Sequence, residues 1–306
     1  MALLSEITTG RAIPLQPEHV VGRAPTCPLR LDPRYVSGQH AVLRWTGGRW
    51  EVKDLSSRNG TFVSGARIEP GLAEVVRKGT RIAFGKAEEE WELADDAPPG
   101  AMAVPLGEGE PVLMDGDLLA LPSSDDPRVT IYRDITGAWV IEQPDESVSI
   151  IRDGQIFECA GHWWRFSCAG DTLTTGLDSP SEMRVQQIHL SFAVSQNEEY
   201  VELEINHNGR TIPIPVRARN YLLLTLARRR LEDARNGVPD AACGWICQDE
   251  SPHDASMAPP QLNLDVYRLR KQFEAVGVVD PANIIERRPL TRELRIGTAR
   301  LSISAL

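Results

Sequence analysis

Cysteine is scarce in this 306-residue chain: there are five, an odd and scattered set at positions 27, 159, 168, 243 and 247. That excludes a disulfide framework and fits a reducing compartment, so a cytoplasmic location is expected. Cys243 and Cys247 have the wrong separation for a redox pair, and only His253 lies near enough to extend them toward a zinc site, so no metal site is expected. Long hydrophobic runs are also missing. None approaches the roughly 20 residues of a membrane span, and the start, Met1-Ala2-Leu3-Leu4-Ser5-Glu6, has neither the basic region nor the apolar core of a secretory leader. No membrane partner is expected. Paired carboxylates, a Ser/His/Asp set and a phosphate-cradling glycine loop are lacking too. Gly107-Glu108-Gly109 has no strand–helix context. These absences exclude catalytic residues and cofactors, and the chain reads as a non-enzyme.

An excess of positive charge is the last thing missing. The formal net charge is −10, but it is unevenly spread. Residues 1–95 carry 13 Lys+Arg against 12 Asp+Glu, residues 96–180 carry 4 against 15, and residues 181–306 carry 16 against 16. The middle third alone is acidic, so the overall charge says little about what either end binds.

What is present begins with short strands and glycine-rich turns. Through residue 95, punctuation such as Gly47-Gly48 and Asn59-Gly60 recurs about every ten residues, the pattern of an antiparallel β-sandwich. Glu88 to Leu93 reads as its last strand. Polar residues cluster at the strand ends: Gly22-Arg23 after Val20-Val21, Ser37-Gly38-Gln39-His40 before Ala41–Trp45, and Ser57-Arg58-Asn59-Gly60-Thr61 after Trp50–Asp54. A dianionic phosphate wants a guanidinium fork, hydroxyl and backbone N–H donors, and an amide to hold the adjoining peptide. Arg23, Ser37, Arg58 and Asn59 supply that set from three loops.

Gly-Arg, Ser-x-x-His and Asn-Gly-Thr in this order, closed by Gly79-Thr80-Arg81-Ile82-Ala83-Phe84-Gly85, resemble a forkhead-associated (FHA) domain over about residues 1–95. The resemblance implies that Arg23 and Ser37 hold the phosphate of a phosphothreonine, that Arg58 assists, and that Asn59 hydrogen-bonds the bound peptide's backbone. Gly22, His40 and Gly60 would brace the loops.

Asp95–Gly100 reads as a linker. Beyond it, Thr130–Arg133 and Gly137–Ile141 echo Ala41–Arg44 and Gly48–Val52 at a constant offset of 89, pairing Trp50 with Trp139. Ile150–Gly154 echoes Val75–Gly79 at an offset of 75. The missing piece is the one that holds Asn59-Gly60, and Asp126 falls opposite Ser37. Residues 101–176 thus read as a degenerate FHA-like β-sandwich without a phosphate site. Trp163-Trp164 and Phe157 read as its core.

Residues 170–184 form a second linker. Alternating strands follow at 188–194, 201–205 and 212–216, with Asn208-Gly209 as a hairpin turn. Asn220 is placed as the cap of a helix from Tyr221 to about Asn236. Ser251-Pro252-His253-Asp254 signals a second helix start, ended by Pro259-Pro260. A third helix is expected from Asn263, because Leu262, Val266, Leu269, Phe273 and Val276 share one face. A hairpin is expected to pair Leu294 and Ile296 with Leu301 and Ile303. Strands, three helices and a hairpin over about residues 185–306 resemble the winged helix-turn-helix domains of OmpR-type response regulators. Val266-Tyr-Arg-Leu-Arg-Lys-Gln-Phe273 is similar to their recognition helix. That resemblance implies double-stranded DNA as a partner, with Tyr267, Arg268, Arg270, Lys271, Arg288 and Arg295 at the contact. Against it, the region has no net positive charge, and Asp265 and Glu274 share the helix.

The expected fold class is therefore multidomain and mainly β: an FHA β-sandwich (1–95), a degenerate second sandwich (101–176) and an α/β winged helix (185–306). Two functions remain open. One is a phosphothreonine-reading transcriptional regulator that couples a Ser/Thr protein kinase to DNA. The other is a phospho-dependent adaptor or scaffold whose winged helix binds protein. The phosphothreonine would sit on a partner protein or on the chain's own segments at Thr8, Thr9, Thr174 or Thr175, which would make a homo-oligomer. The acidic middle third could compete with DNA for the basic helix.

Overall fold

The computed structural model describes residues 1–145, 147–169, 182–197, 200–247, 259–288 and 291–306. The helix-start signal at residues 251–254 and the threonines at 174 and 175 lie outside them. Two compact units are present: Met1–Met102 with a short piece of chain after Arg165, and Ala103–Arg165 with the C-terminal region. No helix among the described residues is long and apolar enough to cross a membrane.

The first unit contains eleven strands: β1 (Leu3–Glu6), β2 (Ala12–Pro14), β3 (Glu18–Gly22), β4 (Leu29–Arg30), β5 (Ala41–Thr46), β6 (Arg49–Asp54), β7 (Thr61–Val63), β8 (Ala66–Arg67), β9 (Ala73–Val76), β10 (Arg81–Phe84) and β11 (Glu90–Asp95). They form two sheets, in the orders β2-β1-β11-β10-β7-β8 and β4-β3-β5-β6-β9. Alternation along each strand sends Leu4, Val21, Leu43, Trp50, Val52, Ile82, Trp91 and Leu93 into one core. The charged residues between them face water. Loops at the ends of β3, β4 and β6 are thus carried on a rigid two-layer frame.

In the second unit, β12 (Met102–Pro105), β13 (Val112–Leu113), β18 (Ile156–Cys159) and β19 (His162–Ser167) make a sheet ordered β13-β12-β19-β18. A second sheet runs β14-β15-β16-β17, from β14 (Leu118–Pro122), β15 (Pro127–Arg133), β16 (Trp139–Glu142) and β17 (Val148–Ile150). Taken in chain order, these sheets repeat the connectivity of β2-β1-β11-β10 and β3-β5-β6-β9. Among the described residues between β16 and β17, no strand corresponds to β7 and β8.

The C-terminal region builds a third sheet, β22-β21-β20-β26, from β20 (His189–Val194), β21 (Val201–His207), β22 (Arg210–Ile214) and β26 (Leu301–Ala305). The β21–β22 turn is Asn208-Gly209, both at positive φ. Helices α1 (Asn220–Arg235) and α2 (Pro259–Ala275) pack on this sheet through Leu223, Leu226, Ala227, Val266, Leu269 and Phe273. A small sheet, β23-β25-β24, uses β23 (Ile246–Cys247), β24 (Ile285–Arg288) and β25 (Glu293–Ile296).

Several expectations need correcting: Asn220 lies inside α1, whose cap position is Arg219, and Trp163 is exposed, while Trp164 and Phe157 are buried. The proline pair begins α2 instead of ending the preceding helix, because proline lacks only an N–H that the first turn leaves unbonded anyway. Asn263 is therefore inside the helix. The expected terminal hairpin does not form: β25 pairs with β24, whereas β26 lies parallel to β20. Gly297 and Thr298 divert the chain. A Cβ at Gly297 would stand 1.9 Å from the Asn283 carbonyl oxygen, and the Thr298 hydroxyl donates to the Ile188 carbonyl at 3.0 Å.

Candidate functional site

Strand β3 ends at Gly22, and the absence of a side chain there is what allows the first two loops to meet. A Cβ at Gly22 would lie 2.2 Å from the Gly38 carbonyl oxygen. With hydrogen in its place, the Arg23 N–H donates to the Ser37 carbonyl and the Ala24 N–H to that of Gly38, each at 2.9 Å. The side chains of Arg23 and Ser37 thus rise from adjoining stretches of backbone.

His40 ties in the third loop. Its Nδ1 accepts the Ser37 N–H at 3.1 Å, so Nε2 carries the proton and donates to the Gly60 carbonyl at 3.0 Å. The ring is fully buried, edge-on to Phe84. Burial holds its pKa below the ordinary value, against the opposing influence of the Gly60 carbonyl and Asp54. A neutral imidazole with two different ring nitrogens is the tautomer this bridge requires.

Asp54, at the end of β6, shapes that loop. It accepts the Ser57 N–H at 2.8 Å and the hydroxyls of Ser57 and Thr61 at 2.6 Å each. Burial would raise its pKa, but those hydrogen bonds outweigh it and keep the carboxyl below its usual value. The Ser57 hydroxyl oxygen in turn accepts the Gly60 N–H at 3.0 Å. These supports were not among the expected site residues. The readable signal was an Asp at a strand end with Ser three positions later, a local side-chain-to-backbone pattern.

So held, the loop donates the Arg58 N–H to the Ser37 hydroxyl oxygen at 3.0 Å and the Asn59 side-chain amide to the Tyr35 carbonyl at 2.7 Å. The guanidinium groups of Arg23 and Arg58 are exposed, and neither has an acidic partner among the described residues. Arg23, Ala24, Arg30, Asp32 and Gly38 line an open cavity of about 410 Å³. Arg30 was also missed by sequence reasoning, and it pairs with Asp32 at 3.0 Å. The structure therefore gathers Arg23, Ser37, Arg58 and Asn59 at one end of the sandwich, on supports from Gly22, His40 and Gly60. Two exposed guanidinium groups without an acidic partner among the described residues thus stand on loops joined at Ser37, a donor set of the kind a compact anion attracts.

The residues expected to contact DNA are placed differently. Arg270 is fully buried. Its guanidinium makes a two-pronged ion pair with Glu142 of β16, both contacts 2.8 Å, donates to the carbonyls of Ala282 and Ile285, and stacks 4.2 Å above the Tyr132 ring. Glu142 also accepts the hydroxyls of Thr130 and Tyr132, at 2.8 and 2.7 Å, and Arg287 stands 3.4 Å away. Burial would raise the Glu142 pKa, but Arg270 and Arg287 hold it well below the usual carboxylate range. Tyr267 is buried against Leu118, Ala120, Tyr132 and Val140. Lys271 pairs with Asp115 at 2.8 Å and with Glu274. Arg288 pairs with Glu293 at 2.7 Å and Arg295 with Glu286 at 2.6 Å, and both stack on Trp245. Of the six, only Arg268 is exposed with neither an acid partner nor a stacking ring among the described residues. On α2, Tyr267, Arg270 and Lys271 face the middle region, where Glu142 and Asp115 meet the two cations, while Arg268 stays exposed. No group of three metal-ligating side chains occurs among the described residues.

The comparisons with known proteins concern the N-terminal part. Residues 19–85 match the FHA domain family model. Over 71 residues the chain is 41% identical to the oxoglutarate dehydrogenase inhibitor of Corynebacterium glutamicum, covering 23% of this chain and 48% of that protein. Over 83 residues it is 36% identical to the FHA domain-containing protein FhaB of Mycobacterium tuberculosis, covering 27% and 52%. The chain thus spans about half the length of these curated relatives. Among solved structures, Mycobacterium tuberculosis EmbR in complex with a low-affinity phosphopeptide aligns at 33% identity, over 31% of this chain and 24% of that one, with a TM-score of 0.29. The match falls on the strands and loops that build the anion receptor, and residues 19–85 of this protein are an FHA domain.

Proposed function

We propose that this chain is a phosphothreonine-dependent adaptor. One observation carries the reading: Arg23 and Arg58 are unpaired cations beside Ser37, on loops locked together by His40. An exposed guanidinium with no carboxylate nearby is free to take a two-pronged phosphate contact. Asn59, fixed by its bond to the Tyr35 carbonyl, presents its side-chain oxygen to the backbone of the bound segment. The partner is a protein marked on threonine by a Ser/Thr protein kinase, or a second copy of this chain marked in the exposed turn at Thr8-Thr9.

Within this reading the middle region is a second sandwich that has lost its binding loops, supported by the shared strand order and the direct β16–β17 connection. Its role is to hold α2. The C-terminal region is then a protein-facing module of winged-helix type, and the burial of Arg270 and Tyr267 favours this over a DNA-reading helix. A phosphothreonine peptide library tests the proposal: the full chain should retain a subset of peptides, prefer them to their phosphoserine counterparts, and lose them on phosphatase treatment. Equal retention by Arg23→Ala would refute it. The transcriptional alternative keeps Arg268 alone. It would be restored if the full chain retained duplex DNA in a salt-dependent way that Arg268→Ala abolished.

A further inference from the structure

Several arginines of the C-terminal region are matched to carboxylates, whereas Arg217, Arg219 and Arg268 have no such ion pair among the described residues and lie on adjoining segments. Arg217 and Arg268 are exposed and Arg219 is half-buried. The Arg217 guanidinium donates to the Val216 carbonyl at 2.9 Å, and Arg219 Nε donates to the side-chain oxygen of Gln272 at 3.2 Å. The Gln272 amide donates in turn to the Pro215 carbonyl at 2.7 Å, tying the segment before α1 to the last turns of α2. Arg268 stands one helical turn before Gln272, on the same side of α2. Arg219 feels both of the others: burial lowers its pKa, Asp265 opposes that, and Arg268 and then Arg217 add to the lowering. Asp265, which accepts a hydrogen bond from Gln261 at 3.3 Å, is the acid that acts on Arg219 against the two other guanidinium groups.

Their placement at the start of α1 adds to the imbalance. Arg219 occupies the cap position without a side-chain cap bond, and the first turn holds no acid. A helix N-terminus carries partial positive charge and favours anions, so cations there have the wrong sign. Like charges gathered at a like pole destabilise the free protein, and a bound anion would relieve them.

We propose that Arg217, Arg219 and Arg268 form a second phosphate-binding site, whose ligand is a phosphorylated side chain of a partner polypeptide. The charge distribution separates this from nucleic acid. Residues 96–180 carry 15 acids against 4 bases, and residues 181–306 are neutral overall. A long polyanion meets that unfavourable field at many points. One phosphate meets only the local cluster, within a screening length of about 10 Å. The site stands without the adaptor reading; only its pairing with the FHA cradle on a doubly phosphorylated partner rests on that reading, and such a pairing would gain by effective concentration.

The test uses the full chain carrying Arg23→Ala, so that the first cradle is disabled. Singly phosphorylated peptides, their unphosphorylated forms, inorganic phosphate and a 12-base-pair duplex are titrated in turn. The expected result is phosphate-dependent peptide binding, tighter than that of inorganic phosphate, which weakens by about tenfold or more when Arg217→Gln and Arg268→Gln are added. Both positions are exposed, and matching thermal melts would establish that the added changes leave the fold intact. Three results would overturn the proposal: undiminished binding in the triple variant, inorganic phosphate bound as tightly as the peptide, or the duplex bound in preference to it. Retention of phosphothreonine peptides by Arg23→Ala that only the added changes abolish would move the proposed specificity to this second site, leaving the FHA reading as the one that fails.

Discussion

The two regions expected to bind phosphate hold arginines in opposite circumstances. In the FHA domain, Arg23 and Arg58 are exposed, acid-free and mounted on loops fixed by buried polar groups. In the second unit, Arg270 is enclosed with Glu142, and Arg295 with Glu286. Both sets look alike as sequence, since each is a basic residue beside an apolar stripe. The difference is whether a carboxylate arrives from elsewhere in the chain. A guanidinium matched by a buried carboxylate can no longer serve a ligand without leaving that carboxylate uncompensated.

The largest expected effect follows from breaking the buried pair. Glu142→Gln keeps the shape but leaves Arg270 and the neighbouring Arg287 without their counter-charge. Denaturant unfolding of the second unit should lose about 3–5 kcal/mol, the usual consequence of removing one partner of a buried pair. Glu142→Leu with Arg270→Met should recover part of that loss. If Glu142→Gln unfolds at the wild-type midpoint, Arg270 is not held as described and the contrast between the two regions collapses.

A titration sharpens the comparison from the other side. In the FHA domain, His19 is buried, with Nδ1 accepting the Gln16 N–H at 3.2 Å. Burial lowers its pKa to about 4 from 6.5. The unfolded chain therefore binds a proton that the folded one excludes, so stability is complete above pH 6.5 and falls as the pH drops toward 4. The loss is about 3 kcal/mol by linkage, and His40, also lowered, adds to it in the same direction. Glu142 works in the second unit with the carboxylate sign: its contribution is present above the unfolded carboxyl pKa and is lost only well below the usual carboxylate range. Acidification to about pH 5 should loosen the FHA domain first. His19→Asn, which retains an acceptor for Gln16, should flatten that part of the pH profile; an unchanged profile would exclude His19 as its source.

At the cradle itself the two arginines should separate. Arg23→Ala removes a charge-assisted contact of about 2–3 kcal/mol, a loss of roughly 30- to 150-fold in phosphopeptide affinity. Arg58→Ala should cost less, because the Arg58 backbone N–H still reaches the Ser37 hydroxyl. Fluorescence anisotropy with one retained phosphopeptide would read both. Equal losses would mean that the two guanidinium groups act as one clamp.

The FHA domain was legible because its evidence is local. Gly22, Ser37, His40 and Asn59-Gly60 fall within 40 positions, and each does backbone work that few other residues could do. The second unit was less so. Glu142 and Arg270 are 128 positions apart, and no periodicity on α2 marks a buried guanidinium. The apolar stripe of α2 was read correctly, but its polar flank was read as solvent-facing when it is a second interface. The constant offset of 89 between the two stretches of sequence also conceals a slip. Leu43 pairs with Val52, whereas Ile131 pairs with Ile141, because five residues separate the paired Arg133 and Trp139 where four separate the paired Trp45 and Trp50. Pattern matching aligns Arg44 with Arg133; strand pairing aligns Leu43 with Ile131.

The smallest effect tests burial within a single helix. Lys271 follows Arg270 directly and was assigned the same role, yet it pairs at the surface with Asp115, whose side chain is 71% exposed, and with Glu274. Screening by water and salt limits such a pair to under about 1 kcal/mol. Lys271→Ala should therefore shift the unfolding midpoint only slightly, and less still at high salt. Arg270→Ala should be far more damaging, since it strands Glu142 beside Tyr132 in a site sealed from water. Two adjacent basic residues with effects differing several-fold, and with only the exposed one sensitive to salt, would show that the covering sheet and not charge alone decides what each cation does. Similar losses at both positions would mean that α2 is not seated on β14–β17 in solution.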